Sequence, residues 1–134
     1  MICTMKKYLL VVLLLFSVGL VDGQSIEWLT DSLKAFKLAD SLDKPLVLYF
    51  RGSCEQCGKL EQNTFNNPVI KNLLSKYVCA KFEQGESISL FKTFKVESVP
   101  TLIILSSPLS EPVRLIGAVE SQLLSRKLRR ALKQ

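Results

Sequence analysis

KPLVLYFRGSCEQCGKLE, residues 44–61, is the stretch from which the rest of the chain is read. Lys44-Pro45 stops any helix that precedes it, because the residue before a proline is pushed out of helical backbone. Leu46–Phe50 is a short unbroken apolar run of strand-forming type, the pattern of a strand covered on both faces. Arg51-Gly52-Ser53 interrupts it, and CEQCGKLEQNTF then reads as a helix that begins at its first cysteine. A cysteine at a helix N-terminus faces unpaired N–H groups and the positive end of the macrodipole, which favour thiolate over thiol. Its pKa then falls from about 8.5 into a range of roughly 3.5–7.5. One turn later, Cys57 is near enough to close a disulfide or to resolve a mixed one. Cys54 is therefore the candidate attacking thiol and Cys57 the candidate resolving thiol.

Composition narrows the chemistry from the other side. The chain has 134 residues, 18 Lys+Arg, 12 Asp+Glu, four Cys and no His. That length suits one domain, and an apolar content of 48% supplies a core, which excludes a disordered chain. Without histidine there is no Ser-His-Asp or Cys-His catalysis and no zinc site that needs an imidazole. Cysteine is the reactive nucleophile that remains.

The amino terminus reads as an export signal, residues 1–23, ahead of a mature domain at 24–134. Lys6 and Lys7 form its basic region, Tyr8 to Leu20 its apolar run, and Val21-Asp22-Gly23 its cleavage region. The apolar run is shorter than the roughly 20 residues of a membrane-spanning helix. The expectation is a periplasmic or secreted protein, without stable membrane insertion after cleavage and monomeric. Cys3 leaves with the signal, and Cys54, Cys57 and Cys79 stay.

Along the mature chain, Ser25–Leu29 is read as a lead-in and Thr30 as the cap of a helix to Leu42, with Leu33, Phe36, Ala39 and Leu42 on one face. After the cysteine helix, Asn67-Pro68 opens a short helix with proline at its first position. Tyr77–Glu83 is a strand, Ser87–Phe94 a short helix, Thr101–Leu105 and Pro112–Ile116 two strands, and Glu120–Leu132 an amphipathic helix. Alternating elements followed by a hairpin imply an α/β fold with a central mixed sheet and helices on both faces.

A C-x-x-C that leaves a buried strand and opens a helix is where this chain resembles the thioredoxin family. The resemblance covers nearly all of residues 25–133: KPLVLYFRGSCEQCGKLE, then YVCAKFE, then FKVESVPTLIIL, and finally VRLIGAVESQLLSRKL. Trp28 and TFNNPVIKNLL are similar to exported bacterial members, among them the C-terminal domain of the transmembrane thiol:disulfide reductase. The resemblance implies a thioredoxin-like fold and a redox-active Cys54–Cys57 disulfide. It also implies a cis Pro100 facing that pair, with the Val99 backbone edge presented to an extended substrate chain. No cofactor and no metal is implied. The partners would be protein disulfide substrates and a redox partner protein.

Some positions depart from the family pattern. Glu55-Gln56 separates the cysteines, Ser53 precedes the first, and Leu48 stands where thioredoxins bury an acid. Lys81 matches the lysine near that acid and is expected to reach water or Glu83. Arg51 is expected to favour the Cys54 thiolate and Glu55 to oppose it. Cys79, between Val78 and Ala80 in a strand, is expected to be a small buried hydrophobe. Arg126, Lys127, Arg129, Arg130 and Lys133 are expected to form a solvated helix face suited to the dipole, and no nucleic-acid partner is expected. Two functions fit these residues. One is an exported thiol–disulfide oxidoreductase that reduces or exchanges disulfides in partner proteins. The alternative is a non-catalytic binding module whose Cys54–Cys57 bridge is structural.

Overall fold

The structure, a computed structural model, describes residues 25–107 and 109–134, so the expected signal at 1–23 lies outside it. Five strands form one mixed sheet: β1 (Trp28–Leu29), β2 (Leu46–Arg51), β3 (Val78–Glu83), β4 (Thr101–Leu105) and β5 (Val113–Ile116), in the order β1-β3-β2-β4-β5. β3 runs parallel to both β1 and β2, while β4 is antiparallel to β2 and β5 antiparallel to β4. Leu46–Phe50 is central and wholly buried because both of its faces are covered.

The faces divide the core by strand alternation. Val47, Tyr49, Cys79, Leu102 and Ile104 point to one side, where they meet Leu60, Phe65, Ile70, Leu124 and Leu128. Those residues come from the helix after the cysteines, from α3 (Pro68–Leu74) and from α5 (Ser121–Ala131). Leu46, Leu48, Phe50, Ala80, Phe82 and Ile103 point the other way, onto α1 (Ser32–Leu42) and α4 (Ile88–Thr93). This is the expected α/β thioredoxin-like architecture.

Three local readings are corrected. The lead-in is not irregular: Trp28 and Leu29 pair with Cys79 and Ala80 as an edge strand, and Trp28 packs on Tyr49 and Phe65 at centroid distances of 5.5 and 5.2 Å. α1 is capped by Asp31, whose carboxylate accepts from the Lys34 N–H at 3.1 Å, not by Thr30. Its buried face carries Ala35 and Ala39, while Leu33 and Leu42 are 63% and 51% exposed. Small side chains let the helix lie close to the sheet, and that close approach fixes the rotation that turns both leucines outward. The third correction concerns the cysteine helix, which is not uniformly α-helical. α2 spans Glu55–Lys59 and continues as a π-helical turn, Leu60–Thr64, closed by the Phe65 N–H on the Leu60 carbonyl at 3.0 Å.

Candidate active site

The end of β2 delivers the cysteines. Gly52 is buried where the chain leaves the sheet, because a Cβ there would lie 2.7 Å from Gln84 Oε1 and 3.3 Å from Val99 Cγ2. The Cys54 N–H donates back to the Gly52 carbonyl at 3.0 Å, so the chain turns sharply into the helix. Cys54 itself is the N-cap residue of α2, with extended backbone at φ −135° and ψ 152°. Its Sγ takes the place of a capping oxygen and accepts from the Cys57 N–H at 3.0 Å. The sequence places the first cysteine inside the helix; the structure places it one residue earlier, where its sulfur meets the orphan donors directly.

Cys54 and Cys57 are joined by a disulfide, with Cα atoms 5.2 Å apart. Their environments differ. Cys57 is fully buried on the inner face of α2, and Cys54 is partly open to solvent. The Val99 carbonyl lies 3.9 Å from Cys54 Sγ. The Val99–Pro100 peptide is cis, Pro100 is buried and Val99 half-buried. Thr101 Oγ1 donates to the Ser98 carbonyl at 2.7 Å, bracing the turn from within. Behind it, the Gly117 N–H donates to the Pro100 carbonyl at 2.9 Å. Thus the structure brings Cys54, Cys57, Val99 and Pro100 to one end of the sheet, although 45 residues separate Cys54 from Val99.

The charges around the pair are arranged differently from the expectation. Arg51 does not serve Cys54: its Nε donates to Glu61 at 2.6 Å and its Nη1 to both Glu83 oxygens at 2.6 and 2.8 Å. The Tyr49 hydroxyl donates to the same Glu61 oxygen at 3.0 Å. Burial pushes the Tyr49 phenol well above its usual range, and the Glu61 charge adds to that. Because Glu83 belongs to Arg51, Lys81 does not take it as a partner. Lys81 lies on the sheet face opposite Leu48 and lines a small cleft of about 220 Å³ with Trp28, Tyr49 and Glu61. Glu55 faces Lys59 across 3.2 Å in an exposed pair, so its effect on Cys54 is partly compensated.

Cys79 is buried at 3% exposure, with Sγ 3.6 Å from the Leu74 carbonyl, and burial pushes its thiol up to about 12. It packs as the sequence leads one to expect. Among the described residues no cluster of three or more His, Cys, Asp or Glu is placed to hold a metal. The sequence reading missed Gly52 and Gln84, together with the Arg51–Glu61–Glu83 cluster. Glu61 alone carried a signal, since four residues from Cys57 puts it on the same helix face.

Comparison with known proteins follows the same lines. A family model described as thioredoxin-like matches residues 27–107. Among solved structures, a thioredoxin from Thermus thermophilus superposes with a TM-score of 0.69 at 23% identity, covering 79% of this chain and 86% of that one. A protein described as DsbH oxidoreductase gives 0.64 at 21% identity, with coverage of 81% and 85%. The C-terminal domain of Neisseria meningitidis DsbD in the oxidised form gives 0.63 at 19% identity, with coverage of 78% and 99%. No curated protein sequence matches.

Proposed function

The chain belongs to the thioredoxin-like family and is a thiol–disulfide oxidoreductase, and from that premise we propose that it reduces or exchanges disulfides in partner proteins outside the cytoplasm. The observation that carries the reading is the asymmetry of the pair. One sulfur is partly exposed at the N-cap of α2, and the other is buried behind it. Cys54 is the attacking thiol and Cys57 the resolving thiol.

In the reduced protein the Cys54 thiolate is favoured by the Cys57 N–H and by the helix N-terminus. It attacks one sulfur of a partner disulfide, forms the mixed disulfide and expels the partner's other sulfur as thiolate. Cys57 then loses its proton and attacks Cys54 Sγ. The Cys54–Cys57 disulfide forms and the second partner thiolate leaves. Two electrons and two protons pass to the partner, and a partner dithiol restores the reduced pair. Burial keeps Cys57 from attacking external disulfides, so the order of the two steps is built into the site. Val99 and Pro100 form the substrate-binding edge: the backbone beside Cys54 is where an extended partner segment pairs.

The extracytoplasmic location is supported by the Lys6-Lys7 and Tyr8–Leu20 signal pattern. Among the described residues no helix is long and apolar enough to cross a membrane. Trapping tests the assignment. Cys57→Ser is expected to accumulate mixed disulfides through Cys54 on non-reducing gels, and Cys54→Ser to accumulate almost none. Equal trapping by both variants, or trapping by neither, contradicts the division of roles between the two cysteines.

A further inference from the structure

The outer face of α5 and the tip of the β4–β5 hairpin form a surface that disulfide exchange does not use. Ser121 to Gln134 carries Arg126, Lys127, Arg129, Arg130 and Lys133 and no Asp or Glu. At 3.6 residues per turn, the exposed Arg126, Arg129 and Arg130 fall within an arc of about 100°, opposite the buried Leu124, Leu128 and Ala131. Lys133 is exposed just past the helix end. Among the described residues none of the five pairs with a carboxylate. The helix dipole acts within the last turn, so it does not account for Arg126 and Lys127. The hairpin tip adds an apolar element. Ser106 Oγ donates to Gln134 Oε1 at 3.1 Å, and Glu111 and Val113 share a cleft of about 370 Å³ with Lys127 and Arg130, so tip and helix end lie side by side. Glu111 is the only carboxylate side chain in that cleft and offsets one charge of the five. The Ser110 N–H donates to the Ser107 carbonyl at 3.1 Å, and the Ser107 N–H to Ser110 Oγ at 3.1 Å. The turn they close holds Leu109 outward at 99% exposure, more than any other large apolar side chain among the described residues.

We propose that this surface docks the protein on a membrane that contains anionic lipid, with the cations on lipid phosphates and Leu109 among the headgroups. Charge alone would suit an acidic protein equally well. Leu109 separates the two, because a lone leucine without apolar neighbours gives a folded partner nothing to pack against. A bilayer accepts an apolar tip without shape complementarity, and cations beside the tip hold it at an anionic surface. The apolar face of α5 is spent on the core, so docking is peripheral and reversible, without insertion of a helix. Orientation follows from the sheet. β4 starts beside Pro100 and reaches the hairpin about 13 Å later, so Cys54 lies at the opposite end of the sheet from Leu109. Docking therefore concentrates the protein at the membrane surface and leaves the Cys54–Cys57 pair open to partners. It does not depend on which cysteine attacks.

Vesicle co-sedimentation tests this, with the full chain purified as the cell processes it and vesicles of phosphatidylcholine alone or with about 30% phosphatidylglycerol. Binding to the anionic vesicles is expected to be at least about tenfold tighter than to the neutral ones. It is expected to be lost in about 0.5 M NaCl, where the screening length falls to about 4 Å. Each cation held at an anionic surface strengthens binding about fivefold, so Arg126→Gln with Arg129→Gln and Arg130→Gln is expected to weaken it about a hundredfold. Lys34→Gln with Lys37→Gln and Lys92→Gln removes the same charge from exposed positions on the helices of the other sheet face. That variant is expected to lose less than about threefold. Leu109→Ser is expected to weaken binding about tenfold. All seven positions are exposed, and thermal melts check that each variant keeps the fold. Equal binding to both kinds of vesicle, which an uncleaved apolar run at residues 8–20 would give, overturns the proposal. So does an equal loss for the two triple variants, or a loss below about twofold for Leu109→Ser. No binding to anionic vesicles overturns it too, and leaves the cations to an acidic protein or to solvent.

Discussion

Replacing Gly117 by alanine tests how the site is held together. Gly117 has φ +90°, a backbone conformation that L side chains rarely adopt, and its N–H donates to the Pro100 carbonyl at 2.9 Å. An alanine has two ways to respond. It keeps the conformation at about 1–2 kcal/mol, or it relaxes and loses a hydrogen bond of about 0.5–1.5 kcal/mol. Depending on the route, the loss is about 0.5–2 kcal/mol, a fall of roughly 2–10 °C in Tm for a domain of this size. The new Cβ also comes within 3.3 Å of Gln56 Oε1, but that atom is the far end of an exposed side chain and moves cheaply. The second route displaces Pro100 and with it the Val99 carbonyl beside Cys54, so disulfide reduction slows as well as stability falling. Thermal melts and turnover of a model disulfide are measured for Gly117→Ala and for the same variant carrying Gln56→Ala. If Gly117→Ala melts like wild type, or if Gln56→Ala restores it fully, the backbone conformation at Gly117 is not what holds the turn.

Tyr77→Phe removes the bond its buried hydroxyl donates to the Leu128 carbonyl at 2.6 Å. The carbonyl keeps the Leu132 N–H at 3.1 Å, so the expected loss is only about 1 kcal/mol, read from the urea midpoint. Cys79 is expected to resist alkylation until the protein unfolds, and to make the fold sensitive to alkali. Its folded pKa of about 12 lies above its ordinary 9.0. The stability it contributes is therefore complete below about pH 9 and is lost as pH rises toward 12. Cys79→Ala should flatten the early part of that decline, and an unchanged slope would count against burial as the cause.

What could be read from sequence was local. The apolar run Leu46–Phe50, the break at Arg51-Gly52-Ser53 and the cysteine spacing each specify their structure within a few residues. Asn67-Pro68 likewise starts α3, with the Asn67 side chain accepting from the Val69 N–H at 2.9 Å. Trp28-Leu29 could not be read as a strand, because two residues have no period and become β1 only through their pairing with Cys79 and Ala80. The α1 face was misjudged because large apolar residues dominate a helical pattern, whereas the sheet accepts the small Ala35 and Ala39. The π-helical turn at Leu60–Thr64 is a one-residue slip in hydrogen bonding that composition does not signal. The Arg51 cluster was misassigned for a related reason. Its partners lie 10 and 32 residues away, and neighbours in sequence, Cys54 for Arg51 and Lys81 for Glu83, were the wrong ones.

The reduction potential of the Cys54–Cys57 pair separates a working redox couple from a structural bridge on the same fold. A disulfide-exchanging pair is expected between about −270 and −120 mV. A value below about −300 mV would mark the bridge as structural and contradict the assignment of this chain as a disulfide-exchanging enzyme.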